Sequence, residues 1–212
     1  MNEIKKEARK RQAQSIIKNL EKRNMEGYYY PTCEEATNAI LSWIPDGASV
    51  TWGGSESIKE CGLLDALKNG NYEVLDRSNA RTNEEQRAYL QKAVGADYFF
   101  MSSNAVTLDG QLVNIDGNGN RVACLINGPK YVVLVVGMNK IVSDVESAVP
   151  RIRNIASPPN GVRLHTNTPC EITGKCGDCH APGCMCSQIV ITRHNRHTGR
   201  IKVVFVGEEL GY

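Results

Sequence analysis

The sequence contains no apolar run able to cross a membrane. Its longest, Tyr131–Val136, is six residues, against the roughly 20 that a spanning helix needs. The N-terminus is charged throughout and has no apolar signal core, so the expectation is a cytoplasmic protein. Net charge is small, formally +2, which excludes binding of a polyanion by bulk electrostatics and makes nucleic acid an unexpected partner. The charge is uneven, however: residues 1–25 hold eight Lys/Arg against three Glu. No internal repeat or linker divides the chain. There is no Ser-His-Asp arrangement and no nicotinamide-binding glycine fingerprint, which removes the two commonest routes to an immediate assignment. At 212 residues the chain can bury a core without disulfides or oligomerisation.

What is present is an alternation of strand and helix signals. Residues 1–26 read as an N-terminal amphipathic helix. Its thin apolar stripe is Ile4, Ala8, Ile16, Ile17 and Leu20, and Glu7 stands four residues before Arg11. It is expected to be a solvated helix lying on the domain or at a subunit contact. Residues 27–212 form the main domain. Tyr28–Tyr30, Ala48–Trp52, Tyr72–Leu75 and Tyr98–Met101 read as strands. Between them, Thr32 with Glu35 and Thr82 with Glu85 have capping-box spacing, and Ser55 or Ser57 opens a further helix. Such alternation predicts parallel strands crossed by helices.

The middle of the chain changes character. Ala105–Leu108 and Leu112–Ile115 flank Asp109-Gly110, a hairpin signal. A turn at Gly117–Asn120 and a third strand at Val122–Ile126 would complete an antiparallel meander. Tyr131–Val136 lacks alternation and fits a strand buried on both faces. Asp144 can cap a helix running from Val145 towards Ala156, bent at Pro150. Residues 157–187 are turn-rich, and strands Gln188–Arg193 and Arg200–Val206 flank a final polar turn.

Two features carry chemistry. The first is Cys170-x5-Cys176-x2-Cys179-x4-Cys184-x-Cys186, five of the eight cysteines in 17 residues, interspersed with Gly174, Gly177, Pro182 and Gly183. Soft thiolates in a tightly turning loop suit zinc or an iron–sulfur cluster. His165 and His180 could replace one thiolate. Free or redox-active thiols are the alternative, and a disulfide framework conflicts with a reducing compartment. Cys33, Cys61 and Cys124 read as small buried apolar residues.

The second is a set of glycine and polar turns. Gly53-Gly54-Ser55-Glu56-Ser57 lies between a strand and a helix, where free backbone N–H groups can meet an anion. Gly137-Met138-Asn139-Lys140 follows the buried strand. Both stand at strand C-terminal ends, where open α/β sheets bind ligands. Asn114, Asp116, Asn118, Asn120 and Arg121 add a dense polar turn that could hydrogen-bond a sugar or a carboxylate, or only satisfy itself. The candidate ligand residues are therefore Gly53, Gly54, Ser55, Ser57, Asn114, Asp116, Asn118, Asn120, Arg121, Gly137, Asn139 and Lys140. Glu60 and Asp116 are the candidate proton acceptors.

Taken in order, these segments resemble the LUD-domain family, whose name links it to lactate utilisation. The matching residues begin with Gly53-Gly54-Ser55-x-Ser57-x-x-Glu60-x-Gly62. Asp109-Gly110-x-Leu112-Val113-Asn114-Ile115-Asp116-Gly117-x-Gly119-Asn120-Arg121 comes next, followed by Gly128-Pro129-Lys130 and Gly137-x-Asn139-Lys140. The series closes with Pro159-Asn160-x-x-Arg163-Leu164 and Thr168-Pro169-Cys170-x-x-Thr173-Gly174-x-Cys176-x-Asp178-Cys179. The resemblance runs from about residue 30 to the C-terminus. It implies a three-layer Rossmann-like α/β sandwich of the NagB/RpiA/CoA-transferase type, with an antiparallel meander and a cysteine-rich loop at 165–187. It also implies that Cys170, Cys176, Cys179 and Cys186 belong together, holding a 4Fe-4S cluster or zinc, with Cys184 outside the set. The expected function is then a redox subunit of lactate or organic-acid utilisation. It would bind a small anionic metabolite or cofactor, with iron–sulfur proteins as partners and a homo-oligomer as the assembly. Two alternatives stand beside it: a non-catalytic ligand-binding or assembly module with structural zinc, and a CoA-transferase-like or cyclo-ligase-like enzyme.

Overall fold

The computed structural model describes residues 2–212. The strands are β1 (Glu26–Tyr30), β2 (Ser49–Trp52), β3 (Glu73–Leu75), β4 (Tyr98–Met101), β5 (Ala105–Thr107), β6 (Leu112–Asp116), β7 (Tyr131–Gly137), β8 (Ile141–Val142), β9 (Gln188–Thr192) and β10 (Ile201–Val206). The helices are α1 (Glu3–Lys22), α2 (Cys33–Leu41), α3 (Glu56–Glu60), α4 (Leu63–Asn69), α5 (Asn83–Val94), α6 (Asn120–Ile126), α7 (Val145–Arg151), α8 (Ser157–Leu164) and α9 (Pro169–Thr173).

Six strands form one parallel sheet in the order β1-β10-β7-β4-β2-β3. Its two faces are covered by different helices. On one face Phe99, Val132, Leu134, Val136, Val203 and Phe205 pack with Ile16 and Leu20 of α1, Ala93 of α5 and Leu125 of α6. On the other, Val50, Phe100, Val133, Val135, Val204 and Val206 pack with Ala36 and Ile40 of α2, Ile58 of α3 and Leu67 of α4. Alternate residues of β7 thus enter opposite cores, which is why its sequence shows no polar alternation. The result is the three-layer α/β sandwich that the sequence predicts. A second sheet, β8-β5-β6-β9, packs against α7 and the π-helical turn Ile152–Ala156 through Ala105, Val113, Ala148 and Ile152.

Several expectations change in detail. Ile4 and Ala8 are exposed, but Ala13, Ile16 and Leu20 are fully buried, so α1 forms part of the domain core. Residues 122–126 are the body of α6. Gly119, at φ +77°, turns the chain into a helix, and Val122 and Leu125 are buried one turn apart. The third strand of the antiparallel group is β9, paired with β6 from Leu112–Thr192 to Asp116–Gln188. The two final strands consequently lie in different sheets. Residues 157–164, expected as turns, continue the helical path as α8.

Candidate functional site

All strands of the main sheet run the same way, so their C-terminal ends share one edge. The chain leaves β2 for β3 on one side and resumes with β4 on the other. That reversal opens a crevice, the position where α/β sheets take ligands. A cavity of about 680 Å³ lies there. Trp52 and the Gly54–Ser57 turn follow β2, Asp76-Arg77-Ser78 follows β3, Ser102 and Asn104 follow β4, and Lys140 follows β7. Ile115–Gly117 with Asn118, Asn120 and Arg121 closes one side, Asn160 and Arg163 of α8 another, and residues 182–186 a third. Gly211 and Tyr212 complete the wall.

Arg121 is the hub of this wall, and all five of its N–H groups are spent on protein. Nε donates to Asp116 Oδ2 at 3.1 Å, one terminal nitrogen to Asn114 Oδ1 at 2.7 Å and Ser102 O at 3.1 Å, and the other to Asn104 Oδ1 and Ile115 O at 2.9 Å. Gly53 lets this side chain pass: a Cβ there would stand 2.9 Å from Arg121 Cγ. Burial lowers the pKa of Arg121, and Asp116 opposes that shift. Asp116 is itself occupied, with Oδ1 accepting from Gly119 N–H at 2.9 Å.

Lys140 is almost completely buried, 4% exposed. Its Nζ donates to Ser57 Oγ at 2.7 Å and to Ser102 Oγ at 3.0 Å. Burial first, then the nearby charges of Arg151 and Arg121, push its pKa down to about 7, while Glu60 acts in the opposite direction. Arg151, also buried, donates to Asn104 O, Asn139 O and Tyr212 O and so ties three chain segments together.

Of the sequence-predicted ligand residues, Gly54, Ser55, Ser57, Asp116, Asn118, Asn120, Arg121 and Lys140 line the cavity. The others support it from behind. Gly53 packs on Arg121, and buried Asn114 accepts from Arg121 and from Asn104 N–H. Gly137 fits closely against Leu210, and Asn139 accepts from Leu210 N–H and donates to Gly211 O. Glu60 is exposed and accepts Gly211 N–H at 2.5 Å. Ser102, Asn104 and Arg77 are cavity residues that the sequence does not single out, and Arg163 stands there only within the family pattern. The first three follow strand ends, so the rule that drew attention to Gly53 and Lys140 would have found them if applied to β3 and β4.

The cysteine loop borders the same cavity through Cys184, Met185 and Cys186. Cys170, Cys176 and Cys179 lie outside the lining. All eight cysteines are unbonded. Cys176 Sγ accepts from Arg153 Nε at 3.2 Å and from Asp178 N–H at 3.4 Å. Cys170 Sγ is 3.1 Å from Thr168 Oγ1, and Cys186 Sγ is 3.5 Å from Ser157 Oγ. Among the described residues no three His, Cys, Asp or Glu side chains stand together as a metal-holding group. Of the cysteines read as core residues, Cys61 and Cys124 are buried, whereas Cys33 is partly open and its thiol lies 3.5 Å from Glu208.

Fold and crevice define an open-sheet α/β domain with a polar cleft at its switch point. The LUD domain family matches residues 13–206, and the chain belongs to that family. Its fold is similar to the crystal structure of a DUF162 family protein from Deinococcus radiodurans, with a TM-score of 0.53 and 13% identity, covering 93% of this chain and 97% of that one. No curated protein matches the sequence. Among the described residues no helix is long and apolar enough to cross a membrane.

Proposed function

We propose that this LUD-domain protein binds a small anionic metabolite, a hydroxy or oxo acid of the lactate type, in the crevice above β2 and β4. The observation that carries the reading is an imbalance of charge. Each side-chain carboxylate lining the cavity already has a cationic partner: Asp116 has Arg121 at 3.1 Å, Glu56 has Arg163 at 3.3 Å and Asp76 has Lys68 at 2.9 Å. One lining guanidinium, Arg77, has no carboxylate within salt-bridge distance among the described residues, and Lys140 stands in the wall as an amine with no carboxylate partner. A cleft with surplus positive charge favours an anion.

The same proposal includes a redox role, with a 4Fe-4S cluster or zinc held by Cys170, Cys176, Cys179 and Cys186. The donor set fits such a group by its chemistry, since soft thiolates suit both. The two N–H donors on Cys176 Sγ are of the kind that stabilise a thiolate or a metal-bound sulfur. A bound cluster would supply one-electron transfer. Cys186 connects the loop to the crevice, because it lines the cavity.

Two measurements test the reading. Thermal unfolding is followed with lactate, pyruvate, phosphate and a neutral control. Ligand at a hundredfold excess over its Kd should add about 2.7 kcal/mol of stability, and Arg77→Ala should reduce the effect. Equal response to the neutral compound, or none to any anion, overturns the anion site. Protein purified without oxygen is then analysed for iron, sulfide and visible absorbance. Stoichiometric zinc without iron overturns the redox part.

A further inference from the structure

The hydrogen bonds around Lys140 have a direction that fixes what its amine can do. The Ser57 hydroxyl donates onward to Leu210 O at 3.3 Å, and the Ser102 hydroxyl to Ser103 O at 3.3 Å. Both serine oxygens are therefore acceptors towards Nζ. A neutral amine has two N–H groups, and these two acceptors satisfy them. Among the described residues nothing donates to Nζ, and no carboxylate lies within salt-bridge distance to hold it as an ammonium. We propose that Lys140 is an amine nucleophile that condenses with the carbonyl carbon of a 2-oxo acid bound in the crevice to form an imine. The proposal rests on the crevice being an anion site and specifies the chemistry of that site.

Three further features suit the role. The residue lines the cavity, so a ligand there can meet it. The charged groups that bear on it are Arg121 from α6, Arg151 from α7 and Glu60 from α3, and the two guanidinium groups oppose its protonation. With burial, they bring a substantial neutral fraction within reach of neutral pH, as desolvation and neighbouring cations do for amine nucleophiles in general. Arg77, a lining cation without a carboxylate partner, is available for the acid's carboxylate.

The reaction balances without an outside oxidant or reductant. The nitrogen lone pair adds to the carbonyl carbon, forming the C–N bond, and the carbonyl π pair moves to oxygen, which takes a proton. The nitrogen then loses a proton, the hydroxyl takes a second proton and leaves as water, and the resulting iminium gives up its remaining N–H proton, leaving the imine and one released water. The Ser57 and Ser102 hydroxyls, both in contact with Nζ, can relay these protons.

Trapping tests the proposal. The full chain is incubated with glyoxylate or with pyruvate and reduced with sodium borohydride, and the adduct is located by intact mass and peptide mapping. Thermal unfolding with the same acids is measured in parallel. The expected result is one reduced adduct per chain on the peptide containing Lys140. Its yield should rise with pH through about 7, and the adduct should be absent from Lys140→Met. Mapping in the unaltered protein keeps the test decisive should that variant fold poorly. Stabilisation by the oxo acid without an adduct at Lys140, or with adducts only on exposed lysines, overturns the imine and leaves the anion site standing. Neither stabilisation nor adduct overturns both.

Discussion

Arg121 commits its N–H groups to protein acceptors and so holds the cavity wall together. Replacing it with alanine would leave Asp116, Asn114, Asn104 and two backbone carbonyls without their donor in a buried place. The expected cost is about 3–5 kcal/mol, measured as a shift in the urea midpoint, with ligand affinity falling in step. Lys140 makes a separate prediction with a definite sign. Its folded pKa of about 7 lies below the ordinary 10.5, so between those values the unfolded chain binds the extra proton. Stability should therefore rise with pH across that window, and the full penalty applies below it. Compared from pH 6 to 10, the unfolding free energy of the natural chain should rise relative to that of Lys140→Met; a constant difference would refute the shifted pKa. Residues such as Asn114 and Asp116 were legible as a polar cluster. Their role was not, because a sequence shows that side chains can hydrogen-bond but not that one arginine has taken all of them.

Among the elements, α1 was legible as amphipathic but not as core. Its sequence is dominated by charge, and only Ala13, Ile16 and Leu20 are sealed against the sheet. Ile16→Ala should cost about 2–5 kcal/mol, whereas Ile4→Ala, at an exposed position, should change the unfolding midpoint little. β7 was readable because six consecutive apolar residues can be buried only on two faces. The error at residues 122–126 has a physical origin: the apolar run is too short for periodicity to separate strand from helix. What settles it is Gly119 opening a helical turn and the sheet edge at β6 being filled from far along the chain by β9. The capping box at Thr82 and Glu85 is present as read. Thr82→Ala should cost about 1 kcal/mol, detectable by thermal unfolding.

At the scale of the whole molecule, the crevice is assembled from segments scattered between Trp52 and Tyr212. Local sequence could place Gly54, Ser55 and Lys140 at strand ends. The order of strands, which fixes where the chain reverses, is a long-range property that no window of residues contains. The last residues belong to this assembly. Leu210 and Gly211 are pinned by Asn139 and Glu60, Arg151 holds Tyr212, and Gly211 and Tyr212 form part of the cavity wall. Any affinity tag or fluorescent fusion joined directly after Tyr212 would thus start its path at the cavity wall. Such a preparation should bind anions more weakly than one tagged ahead of α1, and proteolytic removal of the appendage should restore the affinity.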